Sequence, residues 1–350
     1  MKSGFVTILG RPNAGKSTLL NALVGEKLAI VTHKPQTTRN RILGILNLPA
    51  KKGRPKAQVI LIDTPGVHRP ESRLDKKMMQ EVRDALEGCD LVLLISDVTQ
   101  KFATGEQFVL ELAKRSNTPV MLLLNKIDLI DKRRLLPLIE QWSKLHDFRE
   151  IIPISARKKI GLEDLLDAVV RALPEGPQYF STDQVTDQPV RFLAAEIIRE
   201  QVLISTQQEI PYATTVLIER FEEDERLVRI AATIYCEREG QKAILIGKGG
   251  SMLKKIGTEA RHQMERMLGK KVFLELFVKV RPGWRDSSDF VEGLDWRRQL
   301  EDIAAREQWE KSAAEEGKSA AEEEKSAAEE EKSAADKTLI NADQLPHGKP

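Results

Sequence analysis

Five short stretches of this chain carry side chains and glycines suited to handling a phosphorylated base. Gly10-Arg11-Pro12-Asn13-Ala14-Gly15-Lys16-Ser17 fits the pattern G-x-x-x-x-G-K-[ST] without a gap. Its glycines let successive backbone N–H groups face one concavity. Lys16 can reach the outer phosphates, and the Ser17 hydroxyl, followed by Thr18, can ligate Mg²⁺. Thr38, in a polar loop, can lend a hydroxyl to the same ion and an N–H to a γ-phosphate. Asp63-Thr64-Pro65-Gly66 adds a carboxylate for the metal's water shell and a glycine N–H that can approach that phosphate closely. Asn125-Lys126-Ile127-Asp128 selects the base. A buried Asp128 carboxylate can accept from guanine's N1–H and N2 amino group, and adenine offers neither donor on that edge. Lys126 can lie along the base plane, Asn125 can tie this loop to the first, and the backbone N–H groups of Ser155-Ala156 can meet the guanine O6. The set predicts Mg²⁺-dependent GTP hydrolysis, with Lys16, Thr38 and Gly66 at the reacting phosphate.

Each stretch needs an element to place it. Phe5, Val6, Ile8 and Leu9 read as a buried strand before the first glycine, and Ser17 to Val24 reads as a helix stopped by Gly25. Val31 to Arg39 is polar and broken by Pro35, so it reads as a loop. Gln58–Ile62, Leu91–Ile95, Val120–Leu124 and Ile151–Ile154 are apolar runs, and the first, third and fourth end at a motif. Fully apolar strands suit a parallel sheet covered on both faces. Leu74, Met78, Val82 and Leu86 mark a helix ending at Gly88. Thr104-Gly105-Glu106-Gln107 reads as a capping box, and Gly161 to Leu173 as a closing helix before Pro174.

Composition narrows the class. The 350 residues are 41% hydrophobic and 31% charged, with net charge +2, which suits a soluble protein of two domains plus a tail. Cys89 and Cys236 stand far apart, against a disulfide framework or zinc site and for a reducing, cytoplasmic compartment. Met1-Lys2-Ser3 runs straight into the first strand, leaving no room for a signal peptide, and no apolar run approaches membrane-spanning length.

Residues 176–190, with Pro177 and Pro189, read as a linker after the first domain (1–175). The second domain (191–295) changes pattern. Arg191 to Ile204 is helical, with Phe192, Ala195, Ile198 and Val202 on one face. Strands Thr214–Phe221 and Arg226–Tyr235 flank a Glu222-Glu223-Asp224-Glu225 turn. Helix Gln241–Ile246 runs into Gly247-Lys248-Gly249-Gly250, helix Ser251–Leu268 follows, and Val272–Val280 closes as a strand. Glycines here let a nucleic-acid backbone approach a helix N-terminus. Lys242, Lys248, Lys254, Lys255 and Arg261 can contact phosphates, and Ile244 and Ile246 can floor the bases. From Lys311 to about Ala335 a Lys-Ser-Ala-Ala-Glu-Glu-x unit repeats every seven residues in the tail (296–350). Its alanines are adjacent, not at coiled-coil spacing. This acidic tail is expected to fold over the basic face of the second domain.

Taken together, the five motifs resemble those of translation-factor-class GTPases, which implies a three-layer Ras-like α/β domain. Val67 stands where Ras-like enzymes carry a water-orienting glutamine. Valine cannot do that, which leaves His68 or another group to position the water, or slow hydrolysis. Relatives with asparagine at the position of Asn13 can use potassium, so Asn13 is implied as a potassium ligand. The second-half element order resembles a type II KH domain, an RNA-binding α+β fold. A GTPase joined to such a domain is similar to the Era family of bacterial ribosome-assembly GTPases. The likeness is carried by Arg191-Phe192, Glu196-Ile197-Ile198-Arg199-Glu200, Glu237 to Lys242, and Val278-Lys279-Val280 with Trp284-Arg285. It implies binding to the 3′ end of 16S ribosomal RNA and the assembling small subunit, with peripheral membrane contact in some members. The alternative is a GTPase-gated RNA-modification or RNA-binding factor acting on a different RNA.

Overall fold

The computed structural model describes residues 1–305 apart from His33, Pro35 and Asp302. The heptad tail and its contact with the basic face lie outside the described residues. Met1–Val291 form one compact body. Residues from Glu292 form a second unit, helical over 296–301.

The first sheet has six strands: β1 (Lys2–Gly10), β2 (Ile42–Leu48), β3 (Ala57–Asp63), β4 (Leu91–Asp97), β5 (Val120–Asn125) and β6 (Glu150–Pro153). Their order is β2-β3-β1-β4-β5-β6, parallel throughout except for β2, which runs antiparallel to β3. Helices α1 (Lys16–Val24), α2 (Arg73–Leu86), α3 (Thr104–Arg115), α4 (Leu135–Ser143) and α5 (Leu162–Ala172) alternate with the strands. Central strands β3 and β5 are buried at every position, as a sheet covered on both faces requires. The loops at the carboxyl ends of β1, β3 and β5 therefore gather at one edge, where ligands bind in open α/β sheets.

Two local expectations shift. The box at the start of α3 sits one residue earlier. Ala103 is the cap residue and has no side-chain acceptor, so only Glu106 reaches back, to the Ala103 N–H at 3.1 Å. Strand β2 was not anticipated. It is the sheet's edge, and the stretch read as a linker lies along it. The Ile45 N–H donates to the Val185 carbonyl at 2.9 Å, the Thr186 hydroxyl to Leu43 O at 2.7 Å, and Gln58 Oε1 accepts from the N–H groups of Tyr179 and Phe180. An otherwise open strand edge is thereby covered.

The second sheet, β7 (Thr215–Glu223), β8 (Leu227–Cys236) and β9 (Lys271–Val280), has order β7-β8-β9, with β8 and β9 parallel. Helices α6 (Val190–Ser205), α7 (Glu239–Ile246) and α8 (Ser251–Leu268) pack on one face around Ile198, Val202, Ile230, Ile256 and Met264. Helix α6 is buried well beyond its apolar stripe: Glu196, Arg199, Glu200 and Gln201 are buried too. The first sheet's loops pack on that side. Among the described residues no helix is long and apolar enough to cross a membrane.

Candidate nucleotide and RNA sites

The loop from Gly10 to Ser17 leaves β1 and enters α1. Asn13 and Gly15 hold left-handed backbone, with φ of 63° and 105°. At Gly15 a Cβ would lie 2.2 Å from Asn125 Nδ2, so the β5 loop seats directly on a position that has no side chain. Asn125 is buried and bridges two motifs. Its Nδ2 donates to Ala14 O at 2.8 Å, and its Oδ1 accepts from the Ala156 N–H at 3.0 Å.

A cavity of about 460 Å³ opens beside this loop. Pro12, Asn13, Gly15, Lys16, Ser17, Thr18, Thr38, Gly66, Asn125, Lys126, Asp128, Ser155 and Ala156 line it, so thirteen of the predicted nucleotide residues come together. Gly10, Arg11, Ala14, Asp63, Thr64, Pro65 and Val67 do not line it. The Arg11 side chain turns to the far side of the loop and pairs with Glu106 at 2.8 Å, although its carbonyl accepts from Lys16 Nζ at 3.0 Å. The Thr64 hydroxyl is bonded to Ile8 O at 2.8 Å.

At the cavity's inner end Ser17 Oγ lies 2.8 Å from Thr38 Oγ1 and 2.6 Å from Asp63 Oδ2, which also accepts from Thr38 at 3.3 Å. Asp63 Oδ1 is buried with no hydrogen-bond partner. Burial pushes the Asp63 carboxyl up to about 6, against the opposing pull of the Lys16 ammonium and the two hydroxyls. Burial also brings Lys16 down to about 8, with Asp63 pulling the other way. Two hydroxyls converging on a half-satisfied carboxylate fit a hard dication such as Mg²⁺, which takes one or two protein oxygens and completes its shell with water and phosphate.

Asp128 is exposed, in a short turn over Ile127–Leu129. The Ser155 and Ala156 N–H groups donate to Ile160 O and Asn125 Oδ1, which shapes this wall of the cavity. Lys126 is held by Asp97 at 2.6 Å. Val67 is 2% exposed, with its side chain in the core and its N–H bonded to Gly10 O. His68 points neither ring nitrogen at the cavity: Nδ1 meets Gly66 O at 3.0 Å and Nε2 meets Asp75 Oδ1 at 3.1 Å. The Asp75 hydrogen bond holds the imidazole above its usual range. Asp75 is itself held low. Its burial acts the other way and is outweighed by hydrogen bonds from His68, Ser72 and the Glu71 and Ser72 N–H groups.

In the second half, Gly247 is required by packing: at φ 72° a Cβ would sit 2.7 Å from Met252 Cβ. Gly249 and Gly250 face open space. Lys248, Lys254 and Lys255 are exposed around this turn, and Ile244 is 50% exposed beside it. Lys242 and Ile246 are half-buried. Arg261 stands apart, ten residues along α8 or about 15 Å, and pairs with Glu265 at 3.2 Å.

The clamp between the halves was not anticipated. Arg199 on α6 donates to the Thr37 carbonyl and, at 3.4 Å, to Gln36 O. Glu200 accepts from the Val31 N–H at 3.1 Å and from Lys27 at 2.5 Å. Arg39 donates to Thr214 O at 2.8 Å and lies over the buried Trp284 ring. Burial, then the nearby Arg199 charge, lowers Arg39 to about 9.

These features define a phosphate-loop GTPase carrying a KH domain. Residues 5–126 match the family model for 50S ribosome-binding GTPases, and residues 209–285 match that for KH domains. The chain is 52% identical to GTPase Era of Syntrophus aciditrophicus over 81% of its length and 91% of that protein's. It is 49% identical to GTPase Era of Geobacter metallireducens over 84% and 98%. It also resembles, at 40% identity and TM-score 0.80 over 83% of this chain and 98% of the other, a crystal structure of Era in complex with MgGDPNP and nucleotides 1506–1542 of 16S ribosomal RNA. An Aquifex aeolicus Era variant bound to GDP·AlF4⁻ matches at TM-score 0.79. The chain belongs to the Era family of GTPases.

Proposed function

We propose that this chain is a GTP-hydrolysing switch that binds 16S ribosomal RNA near its 3′ end and acts in assembly of the small ribosomal subunit. The observation that carries this reading is the union, in one compact body, of the Ser17–Thr38–Asp63 cluster with the exposed Gly247–Gly250 turn and its lysines. The likeness to Era bound to both MgGDPNP and a 16S fragment supports it.

In this reading the backbone N–H groups of Gly10 to Ser17 and the Lys16 ammonium bind the phosphates of GTP, and Asp128 reads the guanine edge. Ser17, Thr38 and, through water, Asp63 would hold Mg²⁺, which would supply positive charge against the phosphates. Thr38 and Gly66 hold the γ-phosphate from opposite sides, and its loss frees both loops. With Val67 in the core and His68 turned away, neither replaces the missing glutamine, and in this reading intrinsic hydrolysis is slow. Asn13, which lines the cavity, would be the ligand of a potassium ion. Replacing K⁺ with Na⁺ then slows hydrolysis, and Asn13→Ala removes the difference.

Single-stranded RNA lies over the Gly247–Gly250 turn. Its backbone closes on Gly249 and Gly250, phosphates meet Lys248, Lys254 and Lys255, and a base rests on Ile244. The test is crosslinking in cells of the wild type and Lys16→Ala. Enrichment at the 16S 3′ end supports the reading, and a spread over transfer RNAs would overturn it.

A further inference from the structure

We infer that Arg199, on the first helix of the RNA-binding half, is a positioning residue of the GTPase centre, fixing Thr38 from across the molecule. This inference rests on the Mg²⁺·GTP reading of the Ser17–Thr38–Asp63 cluster. Thr38 sits in a loop that begins near Lys27 and ends at β2. Among the described residues of that stretch, its own half anchors Leu28 and Ala29 through Asn21, Gln36 through Asp75 at 2.9 Å, Thr38 through its short hydroxyl contacts, and Arg41 through Glu81. The anchors at Val31, at Lys34 and at both neighbours of Thr38 come from the other half.

Arg199 is 2% exposed and is aligned by a two-pronged pair with Glu196, at 2.8 and 2.6 Å. A fork fixed in this way presents its remaining N–H groups in one direction, and these donate to the carbonyls of Gln36 and Thr37. One turn further on, Lys34 donates to the carbonyls of Leu203 and Thr206 at the end of α6, where the helix dipole favours a cation. Glu200 takes the Val31 N–H at the start of the loop. On the far side of Thr38, Arg39 is tied to Thr214 O. Thr38 is thus bracketed at both neighbouring residues by groups from the second half.

The chemistry makes Arg199 the telling member. Its guanidinium bonds the peptide directly before Thr38, so a shift there moves the Thr38 N–H and hydroxyl together. A displacement of about 1 Å in a positioned group can reduce a rate by up to a hundredfold. A GDP-bound state makes no use of Thr38 against a γ-phosphate. The arginine therefore acts on GTP and not on GDP, and undocking of α6, by RNA or otherwise, loosens the same threonine.

The experiment uses the full chain, without RNA, and compares wild type with Arg199→Met, Arg199→Lys and Glu196→Gln. Dissociation of a fluorescent GTP analogue and of fluorescent GDP is followed in Mg²⁺, together with hydrogen exchange over residues 31–39 and single-turnover hydrolysis. We expect Arg199→Met to weaken the GTP analogue about tenfold and leave GDP within twofold. It should also slow hydrolysis at saturating GTP and speed exchange over 36–39, with Arg199→Lys partly restoring each. Equal loss for both nucleotides, or unchanged exchange and hydrolysis, would overturn the inference. If Arg199→Met fails to fold, Glu196→Gln carries the same test: it loosens the pair that aligns the Arg199 guanidinium, so exchange should rise over 36–39 with GTP-selective weakening, and its absence overturns the inference. A wild-type chain that shows no affinity for a 16S fragment would sink the RNA reading and leave these nucleotide measurements untouched.

Discussion

A buried carboxyl raised by its surroundings should reveal itself through magnesium. Asp63 is fully buried, one of its oxygens is unpartnered, and burial lifts it from 3.8 to about 6. The sign follows from which state holds the proton longer. Between about pH 4 and 6 the unfolded chain has released this proton and the folded chain has not. Raising the pH through that window therefore costs the ligand-free fold stability, about 3 kcal/mol at 1.36 kcal/mol per unit. Mg²⁺·nucleotide binds the ionised form and removes the penalty. At pH 5 only about a tenth of Asp63 is ionised, so the Mg²⁺-dependent part of nucleotide affinity should be about tenfold weaker than at pH 7.5. The assay is titration of a fluorescent GTP analogue with and without Mg²⁺ across pH 5 to 7.5. The analogue's own phosphate titrates nearby, so the wild type is read against Asp63→Asn, which should lose the Mg²⁺ increment at all pH values. A wild-type increment that stays flat down to pH 5, once the variant is subtracted, would refute the reasoning.

Three further perturbations have defined outcomes. Asn125→Ala strands the Ala14 carbonyl and the Ala156 N–H, at about 1–3 kcal/mol each, so GTP and GDP affinity should both fall more than tenfold in equilibrium titration. Trp284 is fully buried, donates to Ala213 O at 2.9 Å and lies against Arg39. Trp284→Ala should cost about 3–5 kcal/mol in denaturant unfolding and raise exchange near Arg39. Gly250→Asp meets no atom within 4 Å but must hold φ 79°, so it should lower stability by about 1–2 kcal/mol in denaturant unfolding while RNA affinity drops at low salt; unchanged RNA binding would remove this turn from the interface.

The catalytic loops were legible because their chemistry is local: a glycine spacing, or a carboxylate at a strand's end, announces itself in a few residues. Strand β2 was harder, since an edge strand with one neighbour in β3 has no flanking motif, though Ile42, Leu43, Ile45 and Leu46 were signal enough. The capping box moved by one residue because Ala103 leaves the backbone extended there without a side-chain cap. Arg199 and Glu200 were legible only as part of a family likeness. On an isolated amphipathic helix their polar face reads as solvated, and only the packing of the first half's loop against α6 gives them partners. Asp128 shows the converse: its type and its place after β5 point to guanine in the sequence, while its exposure could not be read there.

In the proposed switch the nucleotide sets the grip on RNA. The affinity of the full chain for a fragment covering the 16S 3′ end, at fixed salt, with GDP and with a non-hydrolysable GTP analogue in Mg²⁺, measures this. Binding should be tighter with the analogue than with GDP, and Lys16→Ala should lose that difference. Equal affinity in both nucleotide states, with the protein saturated by each, would contradict it.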